Sequence, residues 1–134
     1  MKRYLLDTNM VIYAIKNNPA MVLEKIQQFD YDDINISAIT LAELEYGVCH
    51  SSKPEQNNMA LMMFLSNVNV LPFDDNAALE YGPIRETLQE AGLIIGSNDM
   101  LIAAHAKSLN YVLVTHNTRE FERVPGIEIE DWAL

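Results

Sequence analysis

Three acidic residues lie directly beside apolar stretches of the sequence, at positions that a fold can bring together. Asp7 follows the apolar run Tyr4-Leu5-Leu6, Glu43 follows a second apolar stretch, and Asp99 precedes a third. Carboxylates gathered in one pocket repel one another, so one of them takes up a proton or a cation binds. Oxygen ligands without His or Cys at metal spacing favour Mg²⁺ or Mn²⁺ over Zn²⁺. Such an ion lowers the pKa of bound water and neutralises phosphoryl charge, so the pattern fits hydrolysis of phosphodiesters.

Each of these acids also has a purely structural explanation. Asp7 or Thr8 could cap the helix that follows. Thr40 and Glu43 fit a capping box, in which each side chain satisfies a backbone donor at the start of a helix. Asp99 opens a strongly apolar segment and could be the N-cap of a buried helix. The functional interpretation is favoured because all three acids are expected to converge.

Segments of strand and helix character alternate along the chain, and they must position these acids. Strands are predicted at 4–6, 34–39, 68–73 and 111–115, with an edge strand at 127–130. Helices are predicted at 10–16, 20–29, 40–47, 54–67, 75–91 and 99–106, with a short turn at 119–122. This alternation indicates an α/β fold with three α/β/α layers and a mainly parallel central sheet.

The expected meeting point of the acids is one edge of that sheet. The carboxyl ends of parallel strands share an edge, and ligands bind outside it. Asp7, Glu43 and Thr115 each follow a predicted strand. Asp99 can reach the same edge if the loop before it crosses there. His105, within the apolar segment after Asp99, is expected to be a packed, hydrogen-bonded residue and not a ligand.

The length and composition of the chain limit the kinds of protein that it can be. A chain of 134 residues with 49% hydrophobic residues is expected to form a single domain, residues 1–134. The apolar run near the start is too short for a signal peptide, and no stretch is long enough to span a membrane. With only Cys49 there is no internal disulfide, so a cytoplasmic location is expected. The formal charge of −10 argues against a generic nucleic-acid binder, although not against an enzyme whose carboxylates hold metal ions.

Four motifs, in this order along the chain, resemble those of the PIN-domain ribonucleases, and the resemblance is closest to the VapC toxins of bacterial toxin–antitoxin pairs. The motifs are Leu5-Leu6-Asp7-Thr8-Asn9; Ser37-Ala38-Ile39-Thr40-Leu41-Ala42-Glu43-Leu44 with Tyr46-Gly47; Asn98-Asp99 with Ile102-Ala103-Ala104-His105-Ala106; and Val114-Thr115-His116-Asn117 with Glu120-Phe121. The resemblance covers essentially the whole chain, including the closing Ile129-Glu130-Asp131-Trp132. Each motif is weak alone, and the four together are specific.

The resemblance implies a PIN-like fold and a metal-dependent endoribonuclease. It implies that Asp7, Glu43 and Asp99 are catalytic and bind Mg²⁺, for which Mn²⁺ can substitute. It also implies that Thr8, Asn9 and Thr115 support them through hydrogen bonds.

The chain departs from the family pattern at Asn117, where many members carry Asp. Asn offers a neutral oxygen and cannot act as a base, so a second metal should bind less well. Glu120, one helical turn further along, is a candidate for the missing carboxylate.

The resemblance further implies an RNA substrate, a VapB-type antitoxin partner and assembly as a homodimer and as a toxin–antitoxin hetero-oligomer. The anticodon loop of initiator tRNA is the expected target. Arg85, Arg119 and Arg123 are candidate RNA contacts. The surplus apolar residues at 59–65 and 10–15 are the candidate docking surface for the antitoxin, since Met-rich surfaces suit adaptable contacts.

Three alternatives remain open from the residues alone. A metal-free ribonuclease would use His acid–base chemistry, and of His50, His105 and His116 only His116 falls at the proposed edge. A receiver-type signalling domain is also small, acidic and α/β with an Mg²⁺ pocket, although it places a Lys where this chain has Thr115-His116. A pure protein-binding module would leave the converging acids unexplained.

Overall fold

The central element of the fold is a sheet of five parallel strands. The computed structural model describes residues 2–134. Its strands are β1 Tyr4–Leu6, β2 Ile34–Ser37, β3 Asn69–Leu71, β4 Val112–Val114 and β5 Ile129–Glu130. They lie in the order β3-β2-β1-β4-β5, and every neighbouring pair is parallel. The predicted mainly parallel sheet is thus confirmed, and within the described residues it is parallel throughout.

Seven helices connect and cover these strands. They are α1 Thr8–Lys16, α2 Ala20–Ile26, α3 Ala38–His50, α4 Pro54–Leu65, α5 Asp75–Glu90, α6 Ser97–Leu109 and α7 Thr118–Phe121, and a 3-10 turn at Tyr31–Asp33 precedes β2. No helix within residues 2–134 is long and apolar enough to cross a membrane.

Alternation along β1 divides the core into two parts, one on each side of the sheet. Tyr4 and Leu6 pack into a cluster with side chains of α1 to α4. Leu5, between them, packs into a second cluster with side chains of α5, α6 and α7. Successive side chains of a strand point to opposite faces, so a strand that is apolar at every position needs helices on both sides. This arrangement is the predicted three-layer α/β/α fold.

The strand order places a topological switch point beside β1. The chain passes from β1 to β2 and β3 on one side, and then crosses to β4 and β5 on the other. Ligands of open α/β sheets bind at such a point, outside the carboxyl ends of the strands. Receiver domains such as CheY have the different order 2-1-3-4-5. The receiver-type alternative is therefore wrong.

The start of α3 differs from the prediction. β2 ends at Ser37, and α3 begins at Ala38, two residues before the predicted start. The Ser37 hydroxyl accepts the backbone N–H of Ile39 at 3.1 Å and so acts as the N-cap. The predicted capping box of Thr40 and Glu43 is wrong, because Ser37 already satisfies the helix start and Glu43 lies in the second turn.

Candidate active site

Asp7 lies at the carboxyl end of β1, where the switch point opens. Its side chain is only 4% exposed, and its Oδ1 accepts the backbone N–H of Met10 at 2.9 Å. Asp7 is thus the N-cap of α1, as the structural explanation expected, while α1 begins at Thr8 and not near Met10. Burial raises the pKa of Asp7; the Thr115 hydroxyl and the Met10 N–H lower it, and the charge of Glu43 raises it. A capping role and a site role therefore coexist in this residue.

Glu43 is half-buried on α3 and is held by both of its oxygens. The Thr8 hydroxyl donates to Oε1 at 2.6 Å, and the Asn98 amide donates to Oε2 at 3.4 Å. These two bonds join α3 to the first turns of α1 and α6. The carboxylate is therefore oriented by neighbours that come from two other helices.

Asp99 is the third residue of α6, and Gly96 occupies the cap position, so the alternative that Asp99 is an N-cap is wrong. Burial, followed by the charges of Asp7, Glu43 and Glu120, raises the pKa of Asp99 to about 6. A neighbouring carboxylate acts in this way only over a short range. Four acidic side chains, from the N-cap of α1 and from α3, α6 and α7, thus share one electrostatic environment.

The donor set fits a hard divalent cation in its chemistry. All four groups are carboxylates, and carboxylate oxygens are the ligand type that Mg²⁺ and Mn²⁺ prefer. Mutual repulsion of such carboxylates is relieved by a bound cation. Among residues 2–134, no three acidic, His or Cys side chains already lie close enough together to hold a metal ion. Metal binding would therefore need rotation of at least one carboxylate.

The predicted supporting residues fall into two groups. Thr8 bonds to Glu43, and the buried Thr115 lies beside Asp7 while its hydroxyl accepts the backbone N–H of Asn117 at 2.9 Å. Asn9, in contrast, is exposed on α1, and its side chain makes no hydrogen bond with any residue in the described range. The supporting role of Asn9 therefore stays a prediction.

The three candidate RNA-binding arginines lie on two parts of the fold, Arg85 on α5 and Arg119 and Arg123 on or just after α7. Arg85 is exposed on α5, where its guanidinium donates to the Tyr81 hydroxyl at 3.1 Å. Arg123 donates to the backbone carbonyl of Ile94 at 3.5 Å, in the loop that leads to α6. Arg119 is exposed on α7, the helix that carries Glu120. Arg119 thus shares an element with an acid of the site, whereas Arg85 does not.

Two of the three histidines, His105 and His116, have different environments. His105 lies in the core, and His116 lies at the edge of the sheet. His105 is buried, with Nδ1 at 2.8 Å from the Ser37 hydroxyl, and burial lowers its pKa, so it is the packed residue that the sequence predicted. His116 is half-exposed, and its Nδ1 lies 2.9 Å from Asp131 Oδ2. The charge of Asp131 in turn raises the pKa of Asp7. His116 and Asp131 therefore border the acidic site.

Sequence reasoning missed Asn98 and Asp131 as members of this environment. Asn98 directly precedes Asp99, and its amide contact with Glu43 depends on a chain crossing that no local pattern reports. Asp131 directly follows β5, as Asp7 follows β1, so an acid at the end of a strand was the available signal.

The family and several relatives of the chain can be identified by comparison. Residues 4–127 match the model of the PIN domain family. Ribonuclease VapC2 of Rickettsia felis is 44% identical over 130 residues, which cover 96% of this chain and 97% of that protein. The tRNA(fMet)-specific endonuclease VapC of Shigella flexneri is 44% identical over 133 residues, covering 99% of this chain and all of the relative.

Solved structures agree with this result. The crystal structure of DNA-bound VapBC from Salmonella typhimurium contains a chain that is 45% identical, with a TM-score of 0.92 over 98% of this chain and 99% of that one. VapBC2 from Rickettsia felis, bound to a promoter DNA fragment, gives a TM-score of 0.91 at 43% identity, over 96% and 98% of the two chains. With a matching family model, relatives of this similarity and a shared fold, the chain belongs to the PIN domain family, among its VapC-type ribonucleases.

Proposed function

We propose that this protein is a divalent-metal-dependent endoribonuclease that acts as the toxin of a VapBC-type toxin–antitoxin pair. The observation that carries the proposal is that Glu43 bonds to Thr8 and Asn98, the residues next to Asp7 and Asp99 in the sequence. The charges of Asp7 and Glu43, together with burial, raise the pKa of Asp99 to about 6. Groups with strongly perturbed pKa values in a cleft are candidates for catalysis or metal binding.

In this proposal Asp7, Glu43 and Asp99 hold Mg²⁺, and Mn²⁺ can substitute for it. When bound, the ion supplies Lewis acidity that favours hydroxide over water and neutralises charge on the phosphodiester. The protein contributes orientation. The Met10 N–H fixes one oxygen of Asp7, and Thr8 and Asn98 fix both oxygens of Glu43. These bonds orient Asp7 and Glu43, which favours alignment, and the rotation that metal binding requires is left to Asp99.

The number of metal ions depends on Asn117 and Glu120. Glu120 lies near enough to raise the pKa of Asp99, so it can contribute a fourth carboxylate. Asn117 contributes at most a neutral oxygen. We propose one tightly held ion, and a weaker second ion for which Glu120 is the candidate ligand.

We propose initiator tRNA, cut in its anticodon loop, as the substrate. The support is the similarity to the tRNA(fMet)-specific endonuclease of Shigella flexneri, in an alignment that spans nearly all of both chains. The cut itself hydrolyses one phosphodiester bond. RNA loops present unpaired bases and an accessible backbone. A protein with few unpaired Lys and Arg side chains can recognise such a loop by its shape.

We propose that the antitoxin docks along a surface groove of about 280 Å³ between α1, α3 and α4. Its apolar lining includes Ile12, Ile15, Leu44, Val48, Ala60 and Leu61. Glu43 also lines it, so the groove leads to the acidic site. An amphipathic helix suits such a groove, and an Arg from the antitoxin could pair with the carboxylates in place of metal.

This location refines the predicted docking surface. Met59, Met62 and Met63 are each more than 60% exposed on α4, as a contact surface requires, and they lie outside the lining of the groove. Met10 and Val11 are fully buried in the core and cannot take part. We also expect a homodimer and a toxin–antitoxin hetero-oligomer.

The direct test is the sequencing of RNA 5′ and 3′ ends after induction of the protein in a host that lacks the antitoxin. The wild type should produce a new pair of ends within the anticodon loop of initiator tRNA. Asp7→Asn should produce none, since it removes a ligand charge while the Asn oxygen still accepts the Met10 N–H. Ends that appear equally with Asp7→Asn would contradict the assignment.

A further inference from the structure

Two exposed aromatic side chains follow Glu43 along one face of α3. Tyr46 lies three residues after Glu43 and His50 lies four residues after Tyr46, which is the spacing of neighbours on one helix face. The rings of Tyr46 and His50 stack with their centroids 5.5 Å apart and an angle of 11° between their planes. Tyr46 is nonetheless 68% exposed. The His50 ring covers one face of the phenol, so the remaining exposure leaves its other face to solvent.

Tyr46 also lines a cavity that belongs to the acidic site. This cavity, of about 380 Å³, is lined by Thr8, Ala42, Glu43, Tyr46 and Asn98. A group that stacks on Tyr46 would therefore lie beside the carboxylate of Glu43 and the amide of Asn98.

Charge cannot supply most of the RNA affinity near this site. The net charge of the chain is −10, and the acidic side chains around Asp99 repel phosphate. Stacking of bases on aromatic side chains is independent of net charge and tolerates any sequence. RNA loops offer such bases, because they are unpaired and can turn outward.

We propose that the Tyr46–His50 stack is a nucleobase platform, which binds one unpaired base of the RNA next to the phosphodiester that is cut. The platform fixes the position of that nucleotide while Glu43, on the same face of α3, faces its backbone. Tyr46 is a substrate-contacting residue in this account, and His50 positions it. The inference rests on the proposed ribonuclease function and adds the base-binding subsite to it.

The position of Tyr46 favours RNA over the antitoxin as its occupant. The proposed antitoxin groove uses Leu44, Gly47 and Val48 of α3, and Tyr46 is not part of its lining. The cavity that Tyr46 lines is polar at Thr8, Glu43 and Asn98. These groups already bond to one another, and a base brings further donors and acceptors that can hydrogen-bond to them, whereas an apolar helix face brings none.

The test is RNA binding by the Asp7→Asn protein, which does not cut. The probe is an RNA hairpin with the anticodon loop of initiator tRNA, in which the fluorescent base 2-aminopurine replaces one loop position at a time. Stacking on the protein should quench one loop position. Tyr46→Ala should abolish that quench and raise the Kd by about 5- to 150-fold. Tyr46→Phe should retain both, because its ring is kept.

Tyr31 provides the matched control. It is 54% exposed and lies in the 3-10 turn before β2, at the sheet edge opposite to the acids. Tyr31→Ala should leave the Kd and the quench unchanged. A fully paired duplex should bind equally to all variants, since it presents no free base.

Two results would overturn the platform. The first is an unchanged Kd and quench for a folded Tyr46→Ala variant; if the wild type still cuts RNA, the proposed function survives this result. The second is an effect of Tyr46→Ala on the affinity for the cognate antitoxin alone, which would assign the surface to protein contact. If the wild type neither binds nor cuts the hairpin and the tRNA, the proposed function fails, and the platform fails with it.

Discussion

At the residue scale, Asp99 connects the chemistry of the site to the stability of the fold. Burial and three neighbouring acids raise its pKa from 3.8 to about 6. The folded state therefore binds this proton more tightly than the unfolded state does. By linkage, the contribution of Asp99 to stability falls as the pH rises from about 4 to about 6, and above that range its ionised form destabilises the metal-free protein.

Asp99→Asn removes this penalty. In EDTA at pH 7 the variant should melt roughly 2–6 °C above the wild type. The difference should shrink as the pH falls from 6 toward 4, because the wild-type carboxyl is then protonated in the folded state and becomes protonated in the unfolded state as well. Thermal unfolding across this pH range measures the effect, and Asp32→Asn, at an exposed acid, is the control. A difference in melting temperature that does not vary with pH would contradict the assigned cause.

Ser37 caps α3, so a substitution of Glu43 does not remove the helix cap. Its effect on cleavage can therefore be separated from an effect on helix stability. Glu43→Gln keeps an oxygen that can accept the Thr8 hydroxyl, so its melting temperature should match the wild type. Its cleavage rate should fall at least ~100-fold, since the loss of even an outer contact of a metal ligand costs 10–100-fold. Glu45→Gln, two residues along on the exposed face, should cut normally. A normal rate for Glu43→Gln would remove Glu43 from the metal site.

At the element scale, the sequence predicted which segments form strands and helices, and missed their exact junctions. The run Ile34 to Ile39 has strand composition throughout, yet the structure ends β2 at Ser37. The deciding contact is the Ser37 hydroxyl, which accepts a backbone N–H of α3 and lies against His105, a residue far away in the sequence. Local propensity does not contain such a tertiary contact.

The candidate site shows the same difference between what local sequence indicates and what tertiary contacts decide. Asp7, Glu43 and Asp99 were identified because each lies at the end of an apolar segment and because the motifs resemble a family. The bonds of Glu43 to Thr8 and Asn98, and the pair of His116 with Asp131, join elements whose proximity follows only from the sheet order. Sequence patterns and the family resemblance therefore pointed to the acids and to Thr8, but not to Asn98 or to the pair of His116 with Asp131.

The groove between α1, α3 and α4 yields a prediction about the antitoxin. Ala60→Glu places a charge on the apolar lining, and it should weaken antitoxin binding by about 10-fold or more, measured by calorimetry with the purified pair. Leu79→Glu, at a 74%-exposed position on α5, is the matched control and should bind normally. Comparison with a Met62→Gln, Met63→Gln double variant separates the groove from the neighbouring methionine surface. An unchanged affinity for folded Ala60→Glu would move the docking site elsewhere.

At the scale of the whole molecule, the charge distribution limits how RNA can be held. Lys2 and Arg3 precede β1, at the sheet edge opposite to the acids, and Lys2 pairs with Glu128 at 3.0 Å. Lys107 pairs with Glu80 at 3.4 Å. Arg119 and Arg123 lie on or beside α7 and are the cations nearest in sequence to Glu120. Lys16 lines the groove that Glu43 also lines. With Arg119 and Arg123 it leaves only a few phosphate contacts for an RNA at the acidic edge.

RNA binding should accordingly depend weakly on salt. Two to four phosphate contacts, each adding ~0.7 to the slope for a single strand, predict a plot of log K against log salt with a slope of about −1.4 to −2.8. Filter binding of tRNA to the Asp7→Asn protein at several salt concentrations measures it. Arg119→Gln should flatten the slope by about one contact, and Arg85→Gln should leave it unchanged. A slope near that of ten contacts would contradict this account.

The central claim is that Asp7, Glu43 and Asp99 form a metal-dependent centre for cutting RNA. The most direct measurement is single-turnover cleavage of initiator tRNA by the antitoxin-free protein, in EDTA and then after addition of excess Mg²⁺ or Mn²⁺. The account predicts no cleavage in EDTA, recovery with either ion, and no recovery for Asp99→Asn. Cleavage that continues unchanged in EDTA and is lost in His116→Gln would contradict it, and would assign the reaction to the pair of His116 and Asp131 at the border of the site.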